Sequence, residues 1–235
     1  MALPPADFLA QLEADRHRQT AYMDHPLYGA LLRGELDREQ LKTWAVQHYQ
    51  TTKVFPRLVG LIHAQCPVQS VRTLLAENIY EEDTGRLSRT APHTVLYHRF
   101  ANAIGITSAD LEAAEPLVEL KTMMEWFAGL IARSDWVVGA CAFLHGLESQ
   151  KPGSRERRLQ ALRETYRIPE DALTFFIIHI GLDDEHGDVG ARIVAEFAVT
   201  DELQRACRTA FNQSVRLQGL ASEAIARACG VLQPA

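Results

Sequence analysis

Residues 173–188 read LTFFIIHIGLDDEHGD. The apolar opening, with no turn residue before Gly181, predicts a buried helix, yet two histidines and several acids follow on the same run. At about 100° per residue, His179, Asp183 and His186 fall near 0°, 40° and −20°, one narrow stripe of a helix. Asp184 and Glu185 point elsewhere. Three metal-type side chains on the apolar side of a helix need partners, and a side-chain cluster or a cation from within a helical bundle would supply them.

The rest of the chain fits that expectation. Apolar residues recur at three- and four-residue intervals, while alternating Val/Ile/Thr/Tyr segments and Asn-Gly hairpin signals are missing, so the fold class is all-α. Breaks fall at prolines: His25-Pro26, Cys66-Pro67, Ala91-Pro92, Glu115-Pro116, Lys151-Pro152 and Ile168-Pro169. Proline lacks the amide hydrogen and restricts its predecessor. The predicted helices run over about 6–20, 25–33, 37–65, 68–84, 92–104, 116–133, 135–149, 154–167, 169–199 and 201–230. Asp37 with Gln40, and Asp201 with Gln204, have capping-box spacing. No linker rich in Gly, Ser or Pro divides the chain, and residues 1–235 read as a single-domain helical bundle.

The 235 residues are 47% hydrophobic and 23% charged with a net charge of −6, ordinary for a globular protein. That sign disfavours non-specific binding to nucleic acid or anionic lipid. The cysteines Cys66, Cys141, Cys207 and Cys229 form no CxxC pair, so neither a zinc ribbon nor a disulfide framework is expected. The N-terminal stretch carries acids and no signal-type apolar core, and no apolar run reaches the roughly 18 residues of a membrane span. A cytoplasmic location is the expectation.

Further candidates for the polar stripe come from other helices. ENIYEEDTG (77–85) offers Glu77, Glu81 and Glu82 just before a helix end; His93 opens the next helix after Pro92. CAFLHGLESQ (141–150) places Glu148 near the end of an apolar helix, with His145 more consistent with a supporting or core role. Glu81, His93, Glu148, His179, Asp183 and His186 together give three carboxylates and three imidazoles. Such a set suits iron or manganese better than soft thiolate chemistry; it could hold two ions and leave positions on them open for water, oxygen or substrate.

These segments, with HPLYGALLRGELDREQLKTWAVQHYQTTKVFPRLVGLIHAQC (25–66) and HTVLYHRFANAIG (93–105), resemble the haem-oxygenase-like di-iron oxidases and oxygenases, particularly the CADD-like branch of the TenA/PqqC superfamily. The resemblance implies a compact haem-oxygenase-like bundle, commonly a homodimer. It also implies two Fe(II) ions, with manganese an alternative in one site, held by the six residues named above, with Glu82 competing for the place of Glu81. Dioxygen and a small-molecule substrate are the implied partners, and metabolite or cofactor biosynthesis the implied setting. In the CADD-like branch p-aminobenzoate is formed from a tyrosine of the protein itself, and Tyr28 occupies a similar position. Leu147 and Phe175 stand where that branch would have tyrosines, and SRERRLQAL (154–162) has arginines where a functional lysine would be expected; these departures argue against self-consumption. Trp44, Tyr49 and Trp126 are further expected substrate contacts. The rival readings are a TenA-like thiaminase with Cys141 as nucleophile, a PqqC-like cofactor-free oxidase, and a non-catalytic interaction protein.

Overall fold

In the computed structural model the backbone is described for residues 1–19, 25–148, 153–186 and 189–232; the side chains of Glu148 and of residues 181–186 lie outside the described set. Helices follow one another along the chain: α1 (Pro5–His17), α2 (Pro26–Arg33), α3 (Arg38–Thr52), α4 (Phe55–Gln65), α5 (Gln69–Thr84), α6 (His93–Ala103), α7 (Ser108–Ala113), α8 (Val118–Arg133), α9 (Trp136–Ala140), α10 (Ser154–Gln160), α11 (Thr174–His186), α12 (Val189–Phe197) and α13 (Asp201–Ala228). No strand occurs among the described residues, and none of their helices is long and apolar enough to cross a membrane.

Local chemistry sets the boundaries. Asp37 accepts from the Gln40 amide while the Gln40 side chain accepts from the Asp37 amide, both at 2.9 Å, so the expected capping box forms. The second expected box does not. Thr200 caps α13 by accepting from the Leu203 amide, and Gln204 instead bridges the backbone of Leu3 and Ala198. The helix expected over 37–65 is two, because Pro56 takes the first turn of α4, where its missing amide hydrogen costs nothing. The span 169–199 begins with a 3-10 turn at Glu170–Leu173 before α11 and α12, and α7 was not anticipated.

The helix expected over 135–149 forms, but from Cys141 to Glu148 it is π-helical; α10 likewise runs on as a π segment at Ala161–Thr165. The wider π turn loosens the backbone ladder, and outside groups satisfy its carbonyls. Arg16 of α1 donates to the His145 and Gly146 carbonyls at 2.7 and 3.0 Å, and Gln218 of α13 donates to Gly146 at 2.8 Å. Beside Arg16, Asp15 is 4% exposed and accepts from Arg208 and Asn212 of α13.

Burial divides into two apolar clusters. One gathers Leu58 and Val59 of α4, Met123 and Phe127 of α8, Phe143 of the π segment, and Phe211 and Val215 of α13. The other gathers Leu27, Trp44, Tyr97, Phe100, Leu162 and Phe176. A cavity of about 190 Å³ is lined from both, by Phe55, Phe127 and Phe143 on one side and Trp44, Phe175 and Ile225 on the other.

α12 crosses the π segment so closely that a Cβ on Gly190 would stand 2.4 Å from the His145 nitrogen. Gly190→Ala should therefore cost about 1–3 kcal/mol in urea unfolding. Gly60→Ala, where a Cβ meets nothing within 4 Å, should gain about 0.5–1 kcal/mol in the same assay. Hydrogen bonding from Arg208, outweighing the cost of burial, lowers the Asp15 pKa from 3.8 to about 2. A carboxylate with a depressed folded-state pKa contributes fully above its unfolded value and loses that contribution as the pH falls through its folded value. Asp15→Asn should remove about 2 kcal/mol of stability at pH 7 and flatten the loss of stability between pH 3.8 and about 2.

Candidate metal centre and cavity

α5 ends at Gly85, whose φ of +64° turns the chain back on itself; a Cβ there would lie 2.2 Å from the Ala91 carbonyl oxygen. The Thr90 amide donates to the Gly85 carbonyl at 2.7 Å, closing the loop so that α6 starts with His93 beside the end of α5. Glu81 and Glu82 are neighbours on a helix, so their side chains diverge by about 100°.

Glu81 turns into that loop. One carboxylate oxygen accepts from the Leu87 and Ser88 amides at 2.8 and 3.2 Å, and the other stands 3.4 Å from His93 Nε2. Burial works against its charge, but the hydrogen bonds of Ser88 and Leu87 outweigh this and hold its pKa below the usual carboxylate value. Glu82 turns the other way, to the cavity it helps to line. Its Oε2 is 2.9 Å from His93 Nδ1, and its Oε1 is 4.0 Å from His179 Nε2.

Glu82, His93 and His179 thus converge, each offering one ligand atom and all three atoms within 4.8 Å of one another. His93 is 2% exposed, and its Nδ1, for all its closeness to Glu82, has no aligned hydrogen bond. A buried ring nitrogen aimed at a carboxylate and a second imidazole without bonding either fits a lone pair turned toward a cation. His179 gives the same reading, since its Nδ1 is bonded to the Phe175 carbonyl oxygen at 2.6 Å, which fixes the N–H there and leaves Nε2 as the acceptor. Burial, with His93, Arg155 and Arg158 nearby, holds the His179 pKa well below the ordinary range, so the ring is neutral. Burial also disfavours charge on His93, but the carboxylates of Glu82 and Glu81 overcome it and raise its pKa.

Of the residues expected from the sequence, His93 and His179 meet directly, their ring centroids 4.9 Å apart. The acid that meets them is Glu82; Glu81 stands behind His93. The side chains of Glu148, Asp183 and His186 lie outside the described residues, although the backbone of Glu148 ends the π segment and Asp183 and His186 belong to α11. Tyr28 is 1% exposed, donates to the Ser154 carbonyl at 2.8 Å and does not line the cavity. His145 faces Glu13 and Phe211, away from this cluster.

Trp44 lines the cavity as expected, whereas Tyr49 bonds Glu112 and His98, and Trp126 lines an outer groove. His48, from the WAVQHYQ stretch expected to line it, and Arg158, one of the arginines of SRERRLQAL, line it as well. Burial, with Arg158 nearby, pushes the His48 pKa down to about 3. Its Nδ1 is 3.1 Å from the Tyr97 hydroxyl, which itself donates to the Ala45 carbonyl and so receives the imidazole proton. Cys141 is fully buried, points its thiol at the Cys207 carbonyl and does not line the cavity. A thiol nucleophile acting there has no geometric support.

A family profile described as iron-containing redox enzyme matches residues 42–219. The chain is 32% identical over 189 residues to 4-aminobenzoate synthase from Chlamydia muridarum, which covers 77% of this chain and 74% of that protein. A solved domain with a haem-oxygenase-like fold from Shewanella denitrificans matches with a TM-score of 0.76 at 15% identity, over 99% of this chain and 96% of the other. A CADD-like protein from Nostoc punctiforme matches with a TM-score of 0.72 at 14% identity, over 98% of each chain. The structural likenesses establish a haem-oxygenase-like fold, and the profile, spanning both histidines of the cluster, carries the further conclusion that the chain belongs to the iron-containing redox enzyme family.

Proposed function

We propose that this protein is a di-iron oxidase or oxygenase that holds its metals through Glu82, His93 and His179, together with Glu148, Asp183 and His186, and oxidises a separate small organic molecule with dioxygen. The observation that carries the reading is the convergence of Glu82, His93 Nδ1 and His179 Nε2, with the far nitrogen of each ring facing another protein oxygen. Bound ferrous ions would supply the electrons and the open coordination that dioxygen needs; manganese suits the same donors in one position.

The chain's own residues prepare the site. Glu81 steadies the His93 ring from behind, as outer carboxylates do for metal-binding histidines, and the Phe175 carbonyl sets the tautomer of His179. Phe175 packs against His179 at 4.4 Å between centroids and against His93 at 6.1 Å, covering one side of the pair with an apolar ring. Apolar side chains from both clusters line the cavity around the position a substrate would take.

The cavity lining also bears on what is oxidised. Relatives include a 4-aminobenzoate synthase. Here Leu147 and Phe175 line the cavity at the two positions where tyrosine was expected, and no tyrosine or lysine occurs among the described lining residues. With Tyr28 outside the cavity, this supports a substrate supplied from solution rather than a consumed side chain.

Two ferrous ions per chain are expected on anaerobic reconstitution, measured by elemental analysis and Mössbauer spectroscopy, followed by oxygen uptake. A chain that takes up no iron and consumes no oxygen would overturn the proposal. Glu82→Ala should abolish occupancy of one position, whereas Glu81→Gln should weaken iron binding by about 10–100-fold without abolishing it. The opposite order would return the ligand role to Glu81.

A further inference from the structure

The polar groups that line the cavity are almost all engaged by the protein itself. Gln47 bonds the backbone of Glu115 and Leu117; Thr51 and Thr52 donate to the His48 carbonyl; Gln218 and Ser222 bond within α13 and to Gly146. Arg155 donates to the His179 carbonyl at 2.8 Å. Arg158 differs from all of them. It is 4% exposed and lies over the Phe176 ring at 5.3 Å, and among the described residues it has no hydrogen bond or ion pair, its Nε being buried with no partner.

A guanidinium stays charged whatever its surroundings and carries five donors in a planar fork. With no anion beside it among the described residues, a buried guanidinium is an unfavourable arrangement for a protein interior. Its position is informative as well. Arg158 lines the same cavity as His48, His179 and Glu82, which puts its charge beside the Glu82, His93 and His179 cluster. The opposite wall is apolar: Phe55, Leu58, Leu120, Met123, Phe127 and Phe143.

We infer that Arg158 is the anchor for the carboxylate of an organic acid whose apolar body fills the cavity. Resting on the oxidase reading above, the inference names its substrate class. A carboxylate accepts two parallel hydrogen bonds from the guanidinium fork. The body then lies along the phenylalanine wall with its near carbons facing the Glu82, His93 and His179 cluster. Neutral His48, its Nδ1 proton held by Tyr97, keeps Nε2 as an acceptor for a hydroxyl or amine on the same molecule. The volume of about 190 Å³ lies below the range usual for drug-sized ligands and suits a modest monoanion.

Calorimetric titration with phenylpropionate, phenylpropanol and phenylpropylamine, on metal-free and on anaerobic iron-loaded protein, tests the assignment. The acid should bind at least roughly tenfold more tightly than the alcohol, and the amine should not bind. Arg158→Met should erase the preference of the metal-free protein by weakening the acid and not the alcohol; Arg158→Lys should retain part of it. Equal binding of acid and alcohol by wild-type protein would overturn the inference, as would an acid preference confined to the iron-loaded form and unchanged in Arg158→Met. Should Arg158→Met fail to fold, the wild-type series and Arg158→Lys still decide. Iron content measured on the same samples separates the two readings: iron uptake without acid preference removes this inference alone, and acid preference without iron uptake supports it while removing the oxidase.

Discussion

The geometry of the site depends on the reversal at Gly85. A helix that ended one turn later, or a loop that left in another direction, would carry His93 away from the two glutamates. The left-handed glycine, the Thr90 to Gly85 hydrogen bond and the capture of the Leu87 and Ser88 amides by Glu81 form one closed unit. Glu81 thereby serves two purposes: its carboxylate satisfies loop amides that would otherwise be stranded beside a helix end, and its second oxygen faces the back of His93. Adjacent acids on one helix end up on opposite sides of the same imidazole.

Around that unit the bundle supplies contrast in polarity. Two apolar clusters meet at the cavity, so metal-type side chains and one buried arginine look into a space otherwise bounded by phenylalanine, leucine and methionine. In such surroundings charges interact strongly, and the lowered pKa values of His48 and His179 follow from burial first and from neighbouring cations second. Of these two rings only His179 belongs to the cluster, and a neutral imidazole is what a cation requires of a ligand.

Much of this was legible in the sequence, for physical reasons that can be named. Helical periodicity gave the all-α class, and of the 179–186 stripe His179 stands in the Glu82, His93 and His179 cluster, while the side chains of Asp183 and His186 lie outside the described residues. The choice between Glu81 and Glu82 was not legible: periodicity describes a helix, and the direction of each acid was decided by a loop beyond the helix end. Pro56 hid a boundary because α3 and α4 follow each other with almost no turn residues between them. At α13 the cap fell on Thr200, one residue before the expected Asp201. The arginines of SRERRLQAL stood out in the sequence, and Arg158 is set apart among them because it shares a helical stripe with the buried Ser154, Ala161 and Leu162, an unusual place for a cation.

The π-helical run from Cys141 to Glu148 holds the chain in a wider winding than the α9 residues before it. A π turn accommodates one residue more than the α turn it replaces. Deleting a single residue from 141–147 would let the ordinary ladder re-form while the residues beyond keep roughly the faces they present now. This segment therefore tolerates the loss of one residue better than an ordinary α-helix, where the same deletion would swing everything beyond it by about 100°. When relatives are aligned, a one-residue gap there marks a helix without the wide turn, with the same side chains still facing inward beyond it.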